Sequence, residues 1–129
     1  MPANHSIMLL HLRYRLWIAE MNADITVLRI FDDYILELSS KKDEPEIKAG
    51  ITRFQQEFVK LRKEIDELRH EMHLVKMQLS AQSRETKTTL KKNTPTDDRA
   101  ALKKRYLLFR KNFDSVKKEF LQFEGKWLQ

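Results

Sequence analysis

Apolar residues recur along most of this chain at alternating spacings of three and four, the rhythm of a helix side that packs against another helix. The middle stretch is the most regular. Ile47, Ile51, Phe54, Phe58, Leu61, Ile65, Leu68, Met72, Val75 and Leu79 follow one another without a miss. Leu102, Tyr106, Phe109, Phe113, Val116, Phe120, Phe123 and Trp127 repeat the pattern toward the C-terminus. The N-terminal stretch carries it in Ile7, Leu10, Tyr14, Trp17, Met21, Leu28, Phe31, Ile35 and Leu38, with one slot taken by Asp24. The pattern predicts three helices, over about residues 6–40, 44–83 and 97–128, in a single domain spanning 1–129.

The interruptions agree with these spans. Ser39–Lys42 reads as a short turn, after which Asp43 and Glu46 have capping-box spacing. Pro45 suits a first helical turn, where its missing N–H would be unpaired anyway. The seam lapses again in a loop over 84–96, where Pro95 disfavours helix at Thr94 and Thr96 or Asp97 caps the third helix. Rods of similar length, about 45–60 Å at 1.5 Å per residue, joined by a short turn and a modest loop give an up-down-up arrangement. The expected fold is all-α: an elongated antiparallel three-helix bundle with coiled-coil-like heptad packing.

Charges beside the seams bear on which helix lies next to which. Helix 2 carries Glu57, Glu64 and Glu71 on one flank and Lys48, Arg62, Arg69 and Lys76 on the other. Helix 3 carries Lys103, Arg110 and Lys117 on one of its flanks. The two basic flanks repel unless an acidic surface comes between them. Residues 1–44 supply one, with a net charge of −2 against +4 each for 45–95 and 96–129. Asp24 either fixes the register of a seam or sits at a splayed edge and reaches water. With Tyr14 or Trp17 it is the nearest approach to a polar core feature. If it is buried between two copies of the chain, Asp24→Leu should raise the melting temperature.

Helix 1 has more apolar surface than its own seam needs. Opposite that seam runs a second stripe of Leu9, Leu12, Leu16, Ala19, Ala23, Thr26 and Ile30, with Ile18, Ile25, Val27 and Tyr34 filling the sides. A helix apolar nearly all round is usually buried all round, and two neighbours cannot cover both faces. The expected partner is a second copy in a symmetric homodimer, paired through Leu9, Leu12, Leu16, Ala19, Ala23 and Ile30, with the alanines allowing close approach. The alternatives are that the 84–96 loop folds back over helix 1 or that another protein docks there.

Composition mainly excludes. The chain has 129 residues, 25 Lys+Arg, 19 Asp+Glu, two Gly and no Cys. Without cysteine there is no disulfide scaffold, thiol nucleophile or thiolate metal site, and two glycines cannot form a glycine-rich phosphate loop. No apolar run approaches the ~20 residues that span a bilayer, and the Ile7–Leu12 run lacks a secretory signal's basic start and length. The expectation is a soluble cytoplasmic protein with no membrane partner.

No catalytic set emerges. Glu67 and His70 have the i, i+3 spacing of di-iron bundles, but His70 lies on the side farthest from Ile65, Leu68 and Met72 and should face water. His5, His11 and His73 are scattered, and Asp32-Asp33 and Asp97-Asp98 are neighbours that point apart on a helix. The expectation is a chain that is not an enzyme and binds no metal or cofactor. The net charge of +6 gives a second reading, nucleic-acid binding through helix 3 and the 84–96 loop. Its candidate polyanion contacts are Lys91, Lys92, Arg99, Lys103, Lys104, Arg110 and Lys111. Against it, the helix 3 aromatics fall in the seam, away from bases.

Four strings, Trp17-Ile-Ala-Glu-Met-Asn22, Phe54-Gln-Gln-Glu-Phe58, Ile65-Asp-Glu-Leu-Arg-His70 and Phe120-Leu-Gln-Phe-Glu-Gly-Lys-Trp127, touch all three helices. In these the chain resembles a group of small uncharacterised all-helical bacterial proteins of about this size. The resemblance implies a cytoplasmic, non-enzymatic protein and transfers no site residues.

Overall fold

Three helices make up the described chain: α1 Pro2–Lys41, α2 Pro45–Arg84 and α3 Thr96–Trp127. The computed structural model describes the backbone of residues 2–84 and 96–127 and the side chains of residues 7–82 and 99–126. Most of the expected 84–96 loop therefore lies outside the described residues. Helix ends fall within a few residues of those the periodicity predicts.

The α1–α2 turn differs in its chemistry from the expected capping box. The first α2 hydrogen bond runs from the Lys48 N–H to the Glu44 carbonyl at 3.0 Å, which places Glu44 at the cap and Pro45 in the first turn. The Glu44 carboxylate also accepts the Asp43 N–H at 3.1 Å, and Asp43 pairs with Lys48 at 2.7 Å. Glu46 is not part of this arrangement. At the other side the Lys42 N–H closes α1 on the Leu38 carbonyl at 2.9 Å.

Contacts between the rods fix their directions. Along α1 and α2, Arg62 meets Asp32 and Arg69 meets Asn22, so rising numbers on one helix meet falling numbers on the other. Arg105 with Glu71 and Arg53 with Glu119 show the same reversal for α2 and α3. Trp17 with Tyr106 and Phe31 with Phe120 run in step, so α1 and α3 are parallel. The chain is an all-α three-helix bundle, up-down-up.

Each seam is buried because each faces the other two helices. Tyr14, Met21, Leu28, Phe31, Ile35 and Leu38 of α1, every α2 seam residue except half-buried Val75, and α3 from Leu102 to Phe120 form one core. Fully burying such a side chain contributes about 1.5–3 kcal/mol relative to exposure. The three interfaces are unequal. No Cα of α1 lies within 8 Å of one of α3, whereas α2 approaches both neighbours more closely. Aromatic rings bridge the wider gap: Trp17 stacks on Tyr106 at 4.7 Å, and Phe31 meets Phe120 at 4.6 Å.

Charged flanks follow the same logic. Acidic α1 lies against both basic flanks, with Asp32 taking Arg62 of α2 and Asp24 taking Arg110 of α3. The acidic flank of α2 meets α3 directly, as Glu71 with Arg105 at 2.7 Å. The partly exposed Asp32–Arg62 and Glu71–Arg105 pairs contribute about 0–1 kcal/mol each, so they select the arrangement more than they stabilise it, whereas Asp24–Arg110 is buried.

The two glycines stand in opposite surroundings. A Cβ on Gly50 would sit 2.3 and 2.8 Å from atoms of the Phe123 ring, while one on Gly125 would meet nothing within 4 Å. Both are helical, where alanine is better by about 0.8–1 kcal/mol. Gly125→Ala is therefore expected to raise stability by up to about 1 kcal/mol. At Gly50 the same gain opposes overpacking of about 1–3 kcal/mol, so Gly50→Ala should lower it. Urea unfolding of both variants checks this; equal gains would mean that Phe123 gives way freely.

Candidate functional site

The outward side of α1 carries a run of exposed large apolar side chains. The inner side of this helix spends Tyr14, Ile18, Met21, Leu28, Phe31 and Ile35 on α2 and α3, and its opposite stripe has no neighbour among the described residues; whether the 84–96 loop covers it lies outside them. Leu9 is 50% exposed, Leu12 45%, Leu16 60% and Ile30 58%. Ala19, Ala23 and Thr26 between them are exposed as well. The structure thus brings all six expected self-association residues onto one ridge. Ile25, Val27 and Tyr34 are half-buried along its sides. Ridges of this kind are uncommon on monomers and mark interaction surfaces.

The basic surface of α3 is less coherent than its sequence. Lys103, Lys104 and Lys111 are exposed around a shallow hollow lined by Ala100, Leu107 and Leu108. Arg99 lies in a groove between α2 and α3 beside Glu71 and Gln78, and its Nε is buried without a hydrogen-bond partner. Lys91 and Lys92 lie outside the described residues. Arg110 is withdrawn from this surface altogether, and it leaves the set of candidate polyanion contacts.

Arg110 instead centres a polar cluster in the α1–α3 gap. Its guanidinium holds both oxygens of Asp24, at 2.6 and 3.2 Å, and its Nη2 also donates to the Tyr106 hydroxyl at 3.1 Å. That hydroxyl donates to the Glu20 carboxylate. The Arg110 Nε is 3.6 Å from Glu20, and Nη1 is 3.8 Å from Asp114. The rings of Tyr106, Phe109 and Phe113 surround the cation at 5.4–5.6 Å. Asp24 is 6% exposed and the Arg110 side chain 19%. Asp24 therefore reaches neither water nor another copy: it is neutralised inside its own chain. The sequence singles out Asp24 but not its partner. The available signal was an arginine on the one flank that must face an acidic helix, shared with Lys103 and Lys117.

Burial pushes the Asp24 carboxyl above its ordinary range, with Arg110 opposing. Burial disfavours the Arg110 charge, but hydrogen bonds to Asp24 and Tyr106 outweigh it and raise its pKa. The Tyr106 phenol, buried and bonded to Glu20, is pushed up to about 12. Burial raises Tyr14 and Tyr34 as well. Between pH ~10, where an unperturbed tyrosine ionises, and about 12, the unfolded chain releases a proton that folded Tyr106 keeps. Stability must fall as pH rises through that window. Denaturant midpoints across it should show a steep decline, and Tyr106→Phe should flatten it.

His70 and His73 are exposed. Half-buried His11 has a lowered pKa, from desolvation first and then from Lys76 and Arg15. Among the described residues no three His, Asp or Glu side chains converge as a metal would require. None of the described helices is long and apolar enough to cross a membrane. No protein-family model, curated protein or solved structure matches the chain.

Proposed function

We propose that this chain is a non-catalytic helical interaction module that pairs with a second copy through the outer face of α1. The exposed ridge from Leu9 to Ile30 carries the reading. Burying leucine and isoleucine side chains that stand about half exposed is the largest gain open to this surface. Sedimentation equilibrium at micromolar concentration tests it. The expected species has twice the 15.5 kDa chain mass; a single-chain mass at every concentration would remove the proposal. Leu16→Glu or Ile30→Glu should leave the helical spectrum intact, since both positions are exposed in the single chain. Each places a charge in a dry seam and should weaken association by about 100-fold or more.

A second reading, nucleic-acid binding through α3 and the 84–96 loop, is favoured by exposed Lys103, Lys104, Lys111, Lys117 and Lys118. Counterion release makes such binding strongest in low salt. Fluorescence anisotropy with labelled RNA and DNA in low salt decides it, and a flat signal there discards it.

A further inference from the structure

The whole positive surplus of the chain lies at one end of the bundle. Asp24 with Arg110 and Asn22 with Arg69 mark one level across the three rods. On the side of that level where α1 begins, residues 1–24, 67–84 and 96–110 carry a net charge of +4, and the connecting residues 85–95 add +2. Residues 25–66 and 111–129, on the other side, sum to zero. Pairing sharpens the contrast. At the basic end Glu20 accepts from Tyr106, Asp24 is held by Arg110 and Glu71 by Arg105, so among the described residues only exposed Glu67 is left free. Arg13, Arg15, Lys76, Arg99, Lys103 and Lys104 form no ion pair among the described residues. Four of these are exposed, and Lys76 and Arg99 are half-buried.

These cations come from all three helices and share surroundings. Beyond desolvation, Lys76 of α2 and Arg15 of α1 together lower the His11 pKa. Arg99 of α3 and Arg13 of α1 together oppose the rise that burial gives Tyr14. Resting on the second reading above, nucleic-acid binding, we infer that the contact surface is this end of the bundle and not the length of α3, and that it takes the phosphate backbone of a duplex. Arg13 and Arg15 of α1 and Lys76 of α2 then belong to the surface, and Lys117 and Lys118 do not. A duplex suits it better than a single strand for two reasons. Its phosphates are twice as dense along the axis, at one charge per about 1.7 Å. Single strands are held largely by stacking on aromatic rings, and at this end Tyr14, Tyr106 and Phe109 are buried while Trp17 is stacked on Tyr106. The contacts are to phosphate alone, so binding is independent of sequence and steeply dependent on salt.

Fluorescence anisotropy with labelled DNA and RNA duplexes in low salt tests the footprint, with circular dichroism confirming that each variant is folded. Replacing exposed Arg13 and Arg15 together by Gln should weaken duplex binding about tenfold or more and flatten the plot of log affinity against log salt by about 2. Lys103→Gln with Lys104→Gln should do the same, and Lys117→Gln with Lys118→Gln should change affinity less than about twofold. If the α1 variant binds as the unmodified chain does, the contact runs along α3; the inference falls and the nucleic-acid reading stands. Tighter binding to a single strand of the same length, or to phosphatidylserine vesicles, overturns it as well. A flat signal for the unmodified chain with every nucleic acid removes the underlying reading itself.

Discussion

Phe120→Ala is expected to lower the free energy of unfolding by about 3–5 kcal/mol, the range for emptying a buried phenylalanine site. The ring is buried where all three helices meet. It lies 4.6 Å from Phe31 and 6.1 Å from Tyr34 on α1, and 5.2 and 5.3 Å from Phe54 and Phe58 on α2. Several of these contacts are edge-to-face, which adds about 0.5–1.5 kcal/mol per pair beyond burial. The α1 and α3 backbones stand apart, with no Cα pair within 8 Å, and the aromatic rings fill the space between them. The neighbouring Leu121 is about half exposed, so Leu121→Ala is the control and should cost under about 1 kcal/mol. Urea unfolding followed by helical circular dichroism compares the two. Similar losses would mean that the aromatic cluster does not hold α3 against α1.

The seams were readable because a repeat near 3.5 residues admits few geometries, and every described seam position is buried or half-buried. The exposed ridge was readable for the same reason, since Leu9, Leu16, Ala23 and Ile30 recur on the side that the seam excludes. Flank charges carried information about neighbours: an acidic helix between two basic flanks is what Asp32–Arg62 and Asp24–Arg110 show. Periodicity does not give the register of one rod on another. Arg110 lies 86 residues from Asp24, and only the axial setting of α3 on α1 chooses it over Lys103 or Lys117. Gly50 was opaque likewise, because its meaning depends on Phe123 arriving beside it from α3. Capping failed on a finer scale: Asp43, Glu44 and Glu46 are all acids near a helix start, and the backbone hydrogen bond to Glu44 decides among them.

Register is also why the expected sign at Asp24 reverses. Between two copies, Asp24→Leu would remove an isolated buried charge and stabilise. Inside one chain it removes half of an ion pair, and the remaining half decides the cost. Arg110 without Asp24 still has Glu20 at 3.6 Å, Asp114 at 3.8 Å and three aromatic faces. Asp24→Leu should therefore lose only about 1–2 kcal/mol. Asp24 without Arg110 keeps no cation at hydrogen-bonding distance and is almost wholly buried. Arg110→Met should lose about 3–5 kcal/mol, the cost of stranding one partner of a buried pair. The double variant replaces both by apolar groups and should recover most of that, which gives a coupling energy of about 3 kcal/mol or more in a double-mutant cycle. The pH response separates charge from packing. With Arg110 gone, nothing opposes the burial that already raises the Asp24 pKa, so the folded chain holds a proton that the unfolded chain gives up near pH 4. The Arg110→Met variant should therefore lose stability as pH rises above that value, more steeply than the unmodified chain, and the double variant should not. If the double variant is as unstable as Arg110→Met, the loss comes from packing around the arginine stem and not from the stranded carboxylate.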